Sequence, residues 1–250
     1  AGNYEDCKDC DLIIITAGRN RKPGETRLDL IAGNSAILKN VVDQMKPHYT
    51  KGVIMIVSNP VDVLVYQCTK WMELPNGMVF GTGCILDSSR FTRLIADYTR
   101  LNTEVVKATI VGEHGDAQIP IWSRVSIAGV PIQEYCENVG LRWDENIRKD
   151  ISDKVREMGA TIIKGKGRTH YGIATCVCYL AEAVLNQRLT IAPVSTMFQG
   201  EYGIEDVCLS VPSIIGVNGV EKRLEERWAE EEFLAFRQAA EKMRNVLKTL

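Results

Sequence analysis

Two unbroken apolar runs stand out. Residues 11–18 read Asp-Leu-Ile-Ile-Ile-Thr-Ala-Gly, and residues 52–57 read Gly-Val-Ile-Met-Ile-Val before Ser58-Asn59-Pro60. Continuous apolar runs, unlike alternating ones, mark strands buried on both faces, as in a parallel sheet. Between them the spacing predicts a helix over 28–45, with Leu30, Ile31, Ile37, Leu38, Val41 and Val42 on its apolar side and Pro47 closing it. A helix over 61–71, a short strand over 78–80 ending at Gly81, and a helix over 88–98 follow. This β-α-β-α-β alternation with short connections predicts a doubly wound parallel sheet.

After Gly81 the pattern changes. Residues 105–111 and 119–127 read as strands, and 144–163 and 169–185 as helices separated by Gly165-Lys166-Gly167. The stretch 189–217 reads as three short β-like pieces interrupted by glycines, Pro193 and Pro212. The tail, 221–250, reads as helix, because Phe233, Phe236, Ala240, Met243 and Leu247 recur at three- and four-residue steps. The expected fold class is α/β. Residues 1–81 form part of a doubly wound (Rossmann-type) parallel sheet, and 82–250 a mixed α+β substrate domain.

A dinucleotide-binding sheet opens with a strand, a glycine-rich turn and a helix. Gly81-Thr82-Gly83 lacks the third glycine, and Gly165-Lys166-Gly167 lies between helices. The chain opens within a helix leading into a strand, as if upstream units had been removed.

Composition narrows the partners. The 250 residues are 45% hydrophobic and 25% charged, which fits a globular chain with a sizeable core. A net charge of −2 gives no reason to expect nucleic acid or an anionic membrane. No apolar stretch approaches the ~20 residues that span a bilayer, and residues 1–11 do not read as a signal peptide. The eight cysteines are scattered through predicted helices and strands, as expected of thiols in a reducing, cytoplasmic compartment. Cys7 and Cys10 have metal or redox spacing. No second pair matches them, so no metal site is expected.

One histidine has a setting that suits chemistry. Gly112-Glu113-His114-Gly115-Asp116 follows the run 108–111, and the flanking glycines allow a sharp turn that presents the imidazole to a cleft. Histidine titrates near neutrality, and a carboxylate partner fixes its tautomer and supports its charged form. Asp87, before a predicted helix, reads either as that helix's cap or as the partner of a histidine. Arg90, one turn on, can offer a fork to a carboxylate. Arg27 lies at a helix start, where a cation opposes the dipole, so its charge is wanted elsewhere. Functional groups of open sheets sit at the carboxyl ends of strands, here Thr16-Ala17-Gly18 and Val57-Ser58-Asn59-Pro60. Together these residues suit proton-coupled hydride transfer at a small 2-hydroxy or 2-oxo acid, with the hydride supplied by a nicotinamide.

Five motifs carry a resemblance over the whole chain: ITAG and KPGETRLDL (within 15–30), SNPVD (58–62), LDSSRF (86–91), GEHGD (112–116) and YGIAT (171–175). In order and spacing they resemble the L-lactate and malate dehydrogenase family. The resemblance implies NAD as cofactor, with His114 as proton donor and acceptor and Asp87 as its partner. Arg90 would bind the substrate carboxylate. Arg27, on a closing loop, would stabilise charge on the carbonyl oxygen. Asn59 would touch substrate and cofactor, Thr16, Ala17, Gly18 and Val57 would line the nicotinamide nucleotide, and Thr169 would face the substrate. It also implies a homodimer or homotetramer.

Three departures matter. The family's glycine-rich first units are not in the sequence, so the adenosine half of NAD would lose its cradle. Arg21 stands where lactate enzymes usually carry glutamine and malate enzymes arginine, so Arg21 could pair with the second carboxylate of oxaloacetate. GETRLDL, Thr169 and residues 117–132 look lactate-type, and L-lactate/pyruvate is the favoured pair. Thr92 and Lys107 stand where bacterial lactate enzymes regulated by fructose 1,6-bisphosphate carry an arginine and a histidine, which argues against that activation. The alternatives are a malate dehydrogenase and a non-enzymatic fragment unable to hold NAD. His48 reads as a surface residue and His170 as structural. The tail and the helix around Cys68 and Trp71 could serve partner contacts or the core equally well.

Overall fold

The structure, a computed structural model, describes residues 1–20 and 26–250, apart from the side chain of Arg27. A short 3-10 turn, Tyr4–Cys7, precedes β1 (Leu12–Ile15), α1 (Arg27–Met45), β2 (Val53–Ile56), α2 (Val61–Met72), β3 (Val79–Gly81) and α3 (Ile85–Thr99). Then come β4 (Val106–Lys107), β5 (Ile110–Gly112), β6 (Gln118–Pro120), β7 (Ser126–Ile127) and β8 (Val130–Pro131). The remainder is α4 (Ile132–Val139), α5 (Glu145–Lys166), α6 (Tyr171–Leu185), β9 (Thr190–Gln199), β10 (Glu205–Gly216), β11 (Gly219–Arg223) and α7 (Glu230–Leu247).

The parallel half follows the apolar runs. β1, β2 and β3 pair in parallel, in that order. All four residues of β2 are fully buried. Ile54 and Ile56 pack with Leu38 and Val42 of α1 and Leu64 and Cys68 of α2, while Val53 and Met55 pack on the other face with Leu180 and Val184 of α6. Successive strand residues point to opposite faces, so a strand covered on both sides must be apolar at every position. Each buried aliphatic side chain here contributes about 1.5–3 kcal/mol.

The sheet does not stop at Gly81. Gly81 pairs antiparallel with Ser195 of β9, and the order β1-β2-β3-β9-β10-β5-β6, with β11 on β10, forms one mixed sheet. A small second sheet has the order β4-β7-β8.

Several expectations are corrected. The stretch 189–217 is not three short pieces but the long hairpin β9–β10. Its two prolines oppose each other, Pro212 against Pro193, which confines the missing donors to one rung. The predicted strand 105–111 changes sheets midway: Val106 and Lys107 pair with β7, whereas Ile110–Gly112 pair with β6 and β10. The predicted strand 119–127 is cut after Pro120 by a 3-10 turn, Trp122–Arg124. The tail forms β11 before α7, and α4 was not anticipated. Phe236, Ala240 and Met243 of α7 are buried in an aromatic cluster with Phe198 and Tyr202, and Cys68 of α2 is fully buried, so both helices serve the core.

α3 begins at Ile85, three residues earlier than predicted. Its N-terminal cap, Cys84, has no capping side chain of its own, and the hydroxyl of Ser210 on β10 accepts the Cys84 N–H at 3.1 Å. Asp87 therefore lies inside the first turn and is free of capping duty, which removes that alternative.

Candidate active site

The carboxyl ends of the three parallel strands open on a cleft of about 570 Å³. Thr16, Gly18, Val57, Asn59, Asp87, Arg90, His114 and Thr169 all line it. α3 supplies Asp87 and Arg90 from one face, three residues apart. The β5–β6 hairpin supplies His114. It turns at Gly112, whose φ of +91° lies in the left-handed region and where an added Cβ would sit 3.0 Å from Ile119 and 3.2 Å from the Ala117 carbonyl.

At the floor, His114 Nδ1 lies 2.6 Å from Asp87 Oδ2. An Arg90 guanidinium nitrogen donates to Asp87 Oδ1 at 3.2 Å. The Asp87 side chain is 5% exposed, and those of Arg90 and His114 are 12% and 25% exposed. Burial opposes the charged imidazole, but the hydrogen bond and charge of Asp87, with the charge of Asp62, outweigh it and hold His114 above the ordinary histidine range. Burial likewise pushes the Asp87 carboxyl up. Its bond to His114 and the charges of His114 and Arg90 overcome that and leave it below the ordinary carboxylate range. Both shifts favour the imidazolium–carboxylate form of the pair. With Nδ1 engaged by Asp87, Nε2 is the nitrogen left to exchange a proton with a ligand.

At the rim, Asn59 and Thr169 are exposed. The Asn59 side-chain oxygen accepts the Val61 N–H at 3.3 Å, across a cis Asn59-Pro60 bond. Ala17 does not line the cleft. Its side chain packs on the core of β1 and β2, and its carbonyl accepts the Ser58 hydroxyl at 2.6 Å. Arg21 lies outside the described residues. Arg27 occupies the first position of α1, but its side chain lies outside the described part. What places it there is a capping box: Thr26 accepts the Asp29 N–H at 3.1 Å, and Asp29 accepts the Thr26 N–H at 2.9 Å.

Three residues escaped sequence reasoning. Asn34 lies on the buried stripe of α1 among Ile31, Leu38, Val42 and Met45, where a polar residue is out of place. Its amide donates to the Asn59 carbonyl at 2.6 Å and the Arg19 carbonyl at 3.1 Å, and its oxygen accepts the Arg19 N–H, joining the two strand-end loops. Asp62 closes the SNPVD motif, and nothing in its local sequence signals its role. It is buried, and it accepts the backbone N–H of His114 at 2.8 Å. Gln118, 7% exposed, lines the cleft with its side-chain oxygen buried and unpaired among the described residues. Of the histidines outside the site, His48 is partly buried, and the His170 ring packs against that of Tyr171 at a tilt of 44°.

These residues fit the nicotinamide end of a dinucleotide beside a small acid. At Gly18 the nearest described atoms to a built Cβ belong to Ser58 and Asn34, at 3.4 Å or more, so packing among the described residues does not demand glycine there. The close approach it permits is toward the open cleft. All eight cysteines are free thiols, and among the described residues no group of three or more metal-ligating side chains assembles, nor is any helix long and apolar enough to cross a membrane.

Residues 1–81 match the family described as lactate/malate dehydrogenase, NAD binding domain, and residues 84–250 match its alpha/beta C-terminal domain. An L-lactate dehydrogenase of Thermoanaerobacterium saccharolyticum is 41% identical over 250 residues, covering 100% of this chain and 80% of the relative. One from Acetivibrio thermocellus is 37% identical over 249 residues, covering 100% and 78%. Among solved structures, the ligand-bound minor L-lactate dehydrogenase of Enterococcus mundtii superposes with a TM-score of 0.95 at 38% identity, covering 100% of this chain and 79% of that one.

Proposed function

The chain belongs to the lactate/malate dehydrogenase family, and we propose how its residues divide the reaction among themselves. It is an NAD-dependent 2-hydroxy acid dehydrogenase interconverting L-lactate and pyruvate. The cofactor, when bound, supplies or accepts the hydride at its nicotinamide ring.

In reduction, His114 gives its Nε2 proton to the carbonyl oxygen as that oxygen gains negative charge. In oxidation it takes the hydroxyl proton back. Asp87 keeps Nδ1 protonated and steadies the imidazolium. Arg90 grips the substrate carboxylate, using the guanidinium edge that Asp87 leaves open. Arg27 adds a cation at the carbonyl oxygen, and Asn59 and Thr169 complete the substrate's surroundings. Thr16, Gly18 and Val57 line the nicotinamide, with Ala17 supporting them from behind. The observation that carries this reading is the His114–Asp87–Arg90 chain, centred on the buried Asp87, at the carboxyl ends of three parallel strands. Its test is His114→Asn. Loss of the general acid lowers kcat for pyruvate about 10³-fold with little change in NADH binding by calorimetry. Retained turnover overturns the assignment.

Arg21 favours a secondary activity on oxaloacetate, whose second carboxylate it would meet. Arg21→Gln then lowers kcat/KM for oxaloacetate and leaves pyruvate untouched. An unchanged ratio of the two removes Arg21 from substrate selection. The same reading includes a cytoplasmic homodimer or homotetramer. Tyr171, Tyr179 and Leu185 of α6 and Leu189 and Ile191 beside them supply an exposed apolar face that supports assembly.

A further inference from the structure

A second buried carboxylate lies directly behind the proton donor. Asp62 sits in the first turn of α2, beyond the Asn59-Pro60 bond, and is 2% exposed. Its Oδ2 accepts the backbone N–H of His114 at 2.8 Å, and its Oδ1 accepts the hydroxyl of Ser195 at 2.6 Å. Ser195 is fully buried on β9, at the rung where that strand meets Gly81 of β3. The helix N-terminus favours negative charge at this position. Even so, a buried acid is a costly way to fill space that an apolar side chain could occupy. What an acid can do there, and an apolar residue cannot, is accept two donors at once.

We propose that Asp62 is a positioning residue for proton transfer: by holding the His114 amide and the Ser195 hydroxyl together, it fixes where the imidazole stands relative to Asn59, Asp87 and the sheet. The two acids act at different points of one residue, Asp87 on the ring and Asp62 on the backbone. Asp62 also belongs to the helix that follows Asn59, so its bonds tie the loop at the cleft's rim to the proton donor. The proposal rests on His114 being that donor.

Its electrostatic consequence has a definite sign. The Asp62 charge adds to that of Asp87 in favouring the protonated ring, against burial and Arg90. Arg19, Asp116 and Arg156 line the same cleft, and Glu113 precedes His114 in the chain.

The test uses Asp62→Asn, which keeps the size and an acceptor but removes the charge. Only three histidines occur, so ring resonances of ¹³C-histidine-labelled protein report His114 directly, assigned by the signal lost in His114→Asn. The expected result is a His114 titration moved to lower pH and a kcat/KM for pyruvate about tenfold down, with NADH affinity unchanged. A fall in rate with an unmoved titration assigns the whole effect to backbone positioning. A folded Asp62→Asn protein whose kcat/KM stays within about twofold of the parent overturns the proposal. Full activity in His114→Asn would instead remove the reading beneath it, so the two failures are distinct. Should Asp62→Asn not fold, Ser195→Ala retains the charge and removes only its second anchor. The His114 amide is then expected to exchange about tenfold faster while amides of β2 keep their protection, and unchanged exchange at His114 overturns the proposal.

Discussion

The floor and the rim of the cleft are built in opposite ways. The floor is Asp87, Arg90 and the ring of His114. Each has its partner before any ligand arrives, and the Asp87 side chain is 5% exposed. The rim is Asn59 and Thr169, both exposed. Groups that move a proton are best fixed in advance, because reorganisation during the reaction adds to the barrier. Groups that admit the substrate need access. The two regions meet at the first turns of α2 and α3, where Asp62 and Asp87 each reach toward His114 from a helix start.

If that contrast is sound, changes to the proton-moving pair His114 and Asp87 at the floor should act on kcat, and changes to the rim, or to Arg90 where the floor grips the substrate, should act on KM. The largest effect after loss of His114 itself is expected from Asp87→Asn. The amide can no longer stabilise the imidazolium, and kcat for pyruvate falls about 10²–10³-fold. A comparable rise in KM with unchanged kcat would show that Asp87 serves binding instead. The same variant has a stability signature. The raised His114 pKa adds stability that is complete below the ordinary imidazole value and is lost as pH rises through the shifted one. The lowered Asp87 pKa adds stability present above the ordinary carboxylate value and lost as pH falls through the shifted one. Urea midpoints of parent and Asp87→Asn should therefore differ most between about pH 4 and 6.5, and a constant gap across pH would deny the ion pair. Arg90→Lys comes next. It keeps the charge but loses the planar fork, raising KM for pyruvate about 10–100-fold. The smallest effect belongs to the rim, where Thr169→Val should raise KM only about two- to tenfold. A loss at Thr169 as large as that at Asp87 would erase the distinction.

The parts of the molecule that could be read from sequence share a physical cause. β1, β2, α1 and α2 were legible because a strand covered on both faces must be apolar throughout, and a covered helix must show its stripe. His114 was legible because Gly112 must turn with positive φ, and that turn places the next residues at a strand end. The missed residues break a local pattern for a reason that is only three-dimensional. Asn34 interrupts the stripe of α1 to reach the Asn59 carbonyl 25 residues away, and Asp62 breaks an apolar helix start to reach His114, 52 residues away. The hairpin β9–β10 was misread because prolines look like breaks until their pairing shows them opposed on one rung. The start of α3 was misread because its cap comes from Ser210, 126 residues distant from Cys84. In each case the partner that explains the residue lies too far along the chain for spacing to reveal.

The most direct test of the account is the pH dependence of kcat/KM in both directions on the parent enzyme. Pyruvate reduction needs His114 charged and should decline as pH rises through the elevated pKa of that histidine. Lactate oxidation needs it neutral and should decline as pH falls through the same value, giving mirror-image limbs that cross above the ordinary imidazole range. Limbs that share one direction, or a midpoint at or below that range, would contradict a proton donor held charged by Asp87.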